Sequence, residues 1–249
     1  MPAARVVTRP GLSSATWDPT LARADPLRLP TRLDGEHAVV VAAHPDDEVL
    51  GAAGLIQVLR RRGAQIKVVI CTDGSAALPG LGAGRRRELA AVRRMESRRA
   101  MTVLGLPETA LRFLDLPDGE LAAHETALPG ILAQTVRNCS FWVAPWRHDP
   151  HPDHAAAGRA AARAAAPGSE LLEYPIWMRH SMLPRHPVVR AGSLRVLTLD
   201  RRRRAHKQVA IRAHTSQLAT WDAGYEPVLP QPVVALFQGS REPFFQAAR

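Results

Sequence analysis

The stretch VVVAAHPDDEVLGAAG, residues 39–54, decides how the chain is read. It belongs to a continuous apolar run from His37 to Ala43, the pattern of a strand buried on both faces of a parallel sheet. It leads into Gly51 to Arg62, which reads as a helix with Leu55, Val58 and Leu59 on one face. Between the two stand His44, Asp46, Asp47 and Glu48, one imidazole and three carboxylates at a strand-to-helix corner. Charged groups next to a buried strand are costly unless they are paired or bind something. The corner is therefore the first candidate site.

Outward from this corner the pattern repeats. Strands are expected at Gln65–Thr72, Leu111–Leu114 and Ser140–Trp146, and helices at Arg85–Leu104, Glu125–Arg137 and Asp153–Ala166. Such β-α alternation with short connections predicts an α/β fold: a Rossmann-like, doubly wound, mostly parallel sheet with helices on both faces. Beyond Leu171 the pattern loosens. LLEYPIW and LRVLTLD read as extra strands, antiparallel additions at the sheet edge, and Arg201–Leu218 as a last helix. Residues 1–35 show no sustained period and read as a loosely ordered extension with packing on the core left open. No repeat or linker divides residues 36–249, so they are expected to form a single domain.

Bulk properties narrow the class. The chain has 249 residues, 46% hydrophobic and 22% charged, the profile of a globular protein. No apolar segment approaches the roughly 18 residues that span a bilayer. The first twenty residues lack the apolar core of a secretory signal. A cytoplasmic location is expected, with peripheral membrane contact left open. Cys71 and Cys139 lie in apolar stretches and form no CxxC, as expected of buried thiols in a reducing compartment. Net charge is +10, carried almost wholly by arginine since the lysines are Lys67 and Lys207. That excess reflects either coding composition or attraction to anionic partners. Nucleic acid is not expected as a partner, because aromatics are 5% and no base-stacking motif is visible.

Ligands of open α/β sheets bind beyond the carboxyl ends of the strands. Three acid- or histidine-rich stretches fall there: HPDDE at 44–48, CTDG with Asp73 at its tip, and HDPHPDH at 148–154. A catalytic zinc takes three N/O ligands and keeps one position for water. His44 and Asp47 can face one point from the tight turn around Pro45, and His154 can complete a facial set. Neighbours in a turn point apart, so Asp46 can stand beside a water as general base. His151, one turn from His154, is placed to donate a proton or stabilise an oxyanion. Asp153 could orient a histidine from behind, and Glu48 is a helix-start residue that could support the ligands.

Other residues read more simply. Arg85–Arg87 and Arg201–Arg204 are expected as solvated helix-end charges, although an anionic partner at the second cluster stays open. Trp142 and Trp146 are expected in the core, and His180, His186, His206 and His214 as surface or structural residues.

AHPDDEVLGAAG at 43–54 together with HPDHAAAG at 151–158 resembles the N-acetylglucosaminylphosphatidylinositol de-N-acetylase (PIG-L/LmbE-like) family of zinc-dependent deacetylases. The resemblance runs from about residue 37 to 218. It includes TDG at 72–74, Arg93-x-x-Glu96-x-x-x-Ala100, PDG at 117–119 and KQVAIRAHTSQ at 207–217. It implies His44, Asp47 and His154 as ligands of Zn2+, replaceable by another divalent metal. It further implies Asp46 as general base, His151 as the group assisting the tetrahedral intermediate or the leaving amine, and Arg93 and Asp118 as sugar-binding residues; in the expected mechanism His151 holds the oxyanion as an imidazolium, and Asp46 or His151 protonates the leaving nitrogen. The implied reaction is hydrolysis of the N-acetyl amide of an N-acetylglucosamine-type conjugate, anionic or lipid-linked, releasing acetate and free amine. Two alternatives stay open: a metal-dependent hydrolase of another amide or ester, which would use the same residues, and a non-enzymatic anion-binding module. The second explains the charge but not why both His/Asp segments end strands.

Overall fold

The computed structural model describes residues 11–136, 138–189, 191–222 and 224–246. Eight strands form one sheet. They are β1 (Asp25–Pro26), β2 (His37–Ala42), β3 (Gln65–Thr72), β4 (Leu111–Leu116), β5 (Phe141–Pro145), β6 (Glu170–Tyr174), β7 (Leu194–Thr198) and β8 (Arg241–Gln246). Their spatial order is β1-β7-β8-β6-β5-β2-β3-β4. From β2 the chain winds one way through β3 to β4, then returns to place β5 on the other side of β2. The carboxyl ends of β2 and β5 thus flank the point where strand order reverses, where a crevice opens in such sheets.

Alternation along β2 shows why the run is apolar throughout. Ala38, Val40 and Ala42 enter one core cluster with Leu55, Ile56 and Leu59. Val39, Val41 and Ala43 enter a second with Leu128, Leu132, Ala156 and Ala160. Helices therefore cover both faces: α2 (Asp47–Arg61) and α3 (Ala83–Val103) on the first, α4 (Leu128–Thr135) and α5 (Pro152–Ala164) on the second. Close seating of α2 depends on glycine. A Cβ on Gly51 would stand 2.0 Å from the Tyr174 ring, and one on Gly54 would stand 2.3 Å from Leu199.

Four expectations are corrected. Residues 11–35 are not loosely ordered: α1 (Ser14–Arg23) buries Trp17 and Leu21 against Trp146, Met178 and Phe245, and β1 pairs with β7. Residues 1–10 lie outside the described residues. The strand at 170–174 is no antiparallel edge addition but pairs in parallel with β5 inside the sheet. The antiparallel member is β8, between β6 and β7, in a stretch that carries no strand pattern of its own. The expected last helix is two, α7 (Arg201–Arg212) and α8 (Thr215–Leu218), broken at His214. The expected helix at 125–137 begins only at Leu128, after a 3-10 turn at Leu121–His124, and Arg137 lies outside the described residues. Two short helices complete the chain, α6 (Met178–Ser181) and α9 (Gln231–Ala235). Among the described residues no helix is long and apolar enough to cross a membrane.

Candidate metal centre and active site

The corner after β2 is shaped by one unusual residue. Asp46 has φ 136° and ψ −28°, a region that disfavours side chains with a Cβ and costs about 1–3 kcal/mol. This backbone turns two consecutive carboxylates apart. Asp47 folds back so that its Oδ2 accepts the amides of Ala43 and His44, both at 2.9 Å. Asp46 instead lines a pocket of about 480 Å3 that opens at the strand ends.

The corner after β5 supplies the facing side. His151 caps α5, its Nδ1 accepting the Asp153 amide at 3.2 Å, with Pro152 in the first helical position. One turn on, His154 points toward the first corner. Its Nε2 lies 3.0 Å from His44 Nδ1 and 3.2 Å from Asp47 Oδ1. Zinc ligand atoms bonded at about 2.0–2.2 Å stand roughly 3–3.5 Å apart, and both distances from His154 Nε2 have that spacing.

The outer nitrogens of both imidazoles are held by carboxylates. His154 Nδ1 meets Asp149 Oδ1 at 3.1 Å, and Asp149 Oδ2 accepts the amides of Ile176 and Trp177. His44 Nε2 lies 3.1 Å from Asp153 Oδ2 and 3.2 Å from Asp118 Oδ1. Protons drawn to the outer nitrogens leave the inner lone pairs free, the arrangement of metal-ligating histidines. With the outer nitrogens protonated, the two inner nitrogens 3.0 Å apart and one Asp47 oxygen form an N/N/O set of the kind a divalent cation takes. By geometry His151 could replace Asp47 in a three-histidine set, and His44 could join Asp118 and Asp153 in another. The last is the weaker frame, because Asp153 already accepts the Gly119 and Leu121 amides and Asp118 the Ala76 amide.

Electrostatics follow from crowding in a buried place. Burial opposes the charged form of His44, yet Asp118, Asp153 and Asp47 hold its pKa well above the ordinary value. Burial likewise opposes His154, while Asp47 and Asp149 raise it to about 9. Burial favours the neutral form of Asp47, but the two histidines outweigh it and keep the group below the usual carboxylate range. Asp46 goes the other way: burial, then the Asp47 charge, push it up to about 7. Burial, then Asp46, push Glu48 to about 8. His151 falls to about 2, through burial and then the charges of His154 and His44.

All the sequence-derived candidates converge here, in different postures. His44, Asp46, Asp47, His151, His154, Arg93 and Asp118 line the pocket, and Asp153 sits behind His44. Asp118 points at His44 as well as at the pocket. Arg93 is buried, with Nη1 donating to Gly74 O at 2.7 Å and Nε and Nη2 unpartnered among the described residues. Glu48 lies beneath the corner, its Oε2 accepting the Asp46 amide at 3.1 Å. Trp142 and Trp146 are core, the latter stacked on Phe245 at 4.5 Å. His214, His180 and His206 are not all superficial: the first two are buried, and His206 meets Gln57. Sequence reasoning gave no role to Asp149 or to Gln217, whose Nε2 donates to Pro45 O. Asp149 lay in the acid-rich HDPHPDH tract, and Gln217 in the run HTSQ.

Similarity to known proteins bears on this site. A Bacillus anthracis protein named as a probable N-acetyl-alpha-D-glucosaminyl L-malate deacetylase is 30% identical over 196 residues, covering 74% of this chain and 82% of its own. A 1D-myo-inositol 2-acetamido-2-deoxy-alpha-D-glucopyranoside deacetylase of Catenulispora acidiphila is 30% identical over 51% of this chain and 47% of its own. The structure of the N,N'-diacetylchitobiose deacetylase of Pyrococcus horikoshii superposes with a TM-score of 0.62 over 85% of this chain and 84% of that one; at 22% identity the likeness is one of fold. The profile described as PIG-L, GlcNAc-PI de-N-acetylase, matches residues 39–165, which run from inside β2 to the residue after α5 and so contain both corners. With that span and the Bacillus relative, the chain belongs to the GlcNAc-PI de-N-acetylase (PIG-L) family.

Proposed function

We propose that this protein is a zinc-dependent N-deacetylase that hydrolyses the N-acetyl amide of an N-acetylglucosamine-type conjugate. The observation that carries it is the ligand frame: His44 Nδ1, His154 Nε2 and Asp47 Oδ1 converge while carboxylates hold both outer nitrogens. His44, Asp47 and His154 would hold the ion. When bound, a divalent cation supplies Lewis acidity, polarising the acetyl carbonyl and lowering the pKa of water.

The chain's own groups do the rest. Asp46 accepts the proton of the attacking water. With a pKa raised to about 7 it can hold that proton and pass it to the departing amine. His151 acts as a neutral donor, in place of the imidazolium expected from the sequence. Its Nδ1 accepts the Asp153 amide, so its proton sits on Nε2, available to the oxyanion. Arg93 and Asp118, at the pocket floor, hold the sugar. The named substrates of the relatives, an amino sugar joined to malate or to inositol, support a small amino-sugar conjugate as partner. Both cysteines are free thiols, which supports a cytoplasmic setting.

The test is release of acetate, with loss of one acetyl group's mass, from N-acetylglucosamine conjugates by the purified protein. A chelator should abolish it, zinc should restore it, and His44→Ala or His154→Ala should lose bound metal together with activity. Full activity in the chelated protein would overturn the reading.

A further inference from the structure

The candidate pocket is larger than its reactive floor, and the surplus has a distinct chemistry. Its outer walls come from two loops and one strand end: Leu78 and Pro79 after β3, Trp177 after β6, and Tyr225, Val228 and Leu229 before α9. These walls are braced. Leu78 packs in a small cluster with Leu89, Trp221, Tyr225 and Val228. Tyr225 donates its hydroxyl to Pro79 O at 2.8 Å, and the Leu229 amide donates to Gln217 O at 2.9 Å. Gln217 in turn reaches the Pro45 carbonyl of the first corner. An apolar chamber thus continues from the ligand frame as part of the same framework.

Charge is distributed against the chain's overall sign. Among the described lining residues the one Lys or Arg is Arg93, which lies at the floor with Nη1 on Gly74 O. The outer chamber instead carries Glu226. A carboxylate on the aglycone would meet no lysine or arginine among the described residues of the outer chamber and would lose its hydration against leucine, valine and tryptophan. An uncharged hydrophobic group would bury its surface in a preformed apolar site.

We propose that the acetylated sugar carries an uncharged, apolar aglycone, alkyl or aryl, which the chamber of Leu78, Trp177, Tyr225 and Val228 receives. This rests on the deacetylase reading and adds the substrate class to it. The +10 net charge, which invites an anionic substrate, is not delivered to this chamber.

The experiment compares N-acetylglucosaminides that differ only in the group on C1: methyl, n-octyl, phenyl and malyl. With the zinc-loaded protein, kcat/KM should be about tenfold or more higher for n-octyl, phenyl or both than for methyl, and lowest for malyl. Octyl against phenyl distinguishes an alkyl from an aryl occupant. Val228→Glu should cut the octyl-to-methyl ratio about tenfold. Equal turnover of octyl, phenyl and methyl, or a preference for malyl, would overturn the chamber assignment while leaving deacetylation standing. Calorimetric titration with the same glycosides separates the two claims. No cleavage with a retained octyl preference sinks the reaction and keeps the chamber.

Discussion

Helix α2 passes two clusters of buried charge, and they are built on opposite principles. Midway along it, Lys207 Nζ donates to Leu50 O and to Glu242 Oε1, both at 2.7 Å, and Glu242 also accepts the Gly54 and Leu55 amides. Lys207 and Glu242 are 2% and 1% exposed, one cation meets one anion, and every contact is closed. At its N-terminus the same helix carries Asp46, Asp47 and Glu48 beside two histidines. There Asp46 sits at φ 136°, and Glu48 Oε1 and two nitrogens of Arg93 have no partner among the described residues. Burial pushes the carboxyls of Asp46 and Glu48 up to about 7 and about 8. Charge that is paired and relaxed fastens the helix to β8. Charge left strained and incompletely paired marks the place where something else is meant to bind.

The sharpest way to break this contrast is Asp46→Asn. It keeps the size of the side chain and removes the proton acceptor, so kcat should fall by about 10^2–10^4-fold with bound metal retained. Retention of more than about a tenth of the activity would move the base elsewhere. The closed pair should respond in stability instead. Lys207→Met strands a buried carboxylate and should cost about 3–5 kcal/mol, a fall in Tm on the order of 10 °C. Replacing both partners with apolar residues should recover most of that loss. If Lys207→Met, still folded at low temperature, lost metal affinity about 100-fold, the pair would belong to the site and the contrast would fail.

The same contrast explains what the sequence disclosed. The two corners of the candidate site were legible because their residues are clumped: HPDD and HPDH each sit within a few residues of the end of an apolar run. The strand at Gln65–Thr72 was read to its exact bounds, since eight residues in VVIC-like order leave little choice. The strand at 241–246 was not legible. Its sequence REPFFQ contains a proline and two charges, and Glu242 is at home inside the sheet only because Lys207, distant in sequence, neutralises it. Strand direction at Glu170–Tyr174 was equally hidden, because apolar alternation records which faces are buried and not which way the chain runs. Asp149 was visible as an acid but not as the partner of His154 Nδ1. That role depends on the backbone amides of Ile176 and Trp177, which turn its other oxygen away.

A smaller effect follows from the raised pKa of Asp46 and tests the same strain by thermodynamics. In the folded, chelated protein Asp46 titrates at about 7, because burial and then the Asp47 charge disfavour its ionised form. An unfolded chain returns it to about 3.9. Between those values the folded state binds the extra proton, so this group's contribution to stability falls as pH rises and levels off above about pH 7. Other buried groups titrate in the same window, and His151, depressed to about 2, contributes with the opposite sign. The informative quantity is therefore the difference between Asp46→Asn and the parent. It should grow in favour of the variant from pH 4 to 7, by at most about 1.4 kcal/mol per pH unit, and then stay constant. Chemical denaturation of both chelated proteins across that range measures it. A difference that does not change with pH would mean that Asp46 is as well solvated as an exposed carboxylate. The N-terminus of α2 would then be no more perturbed than its middle.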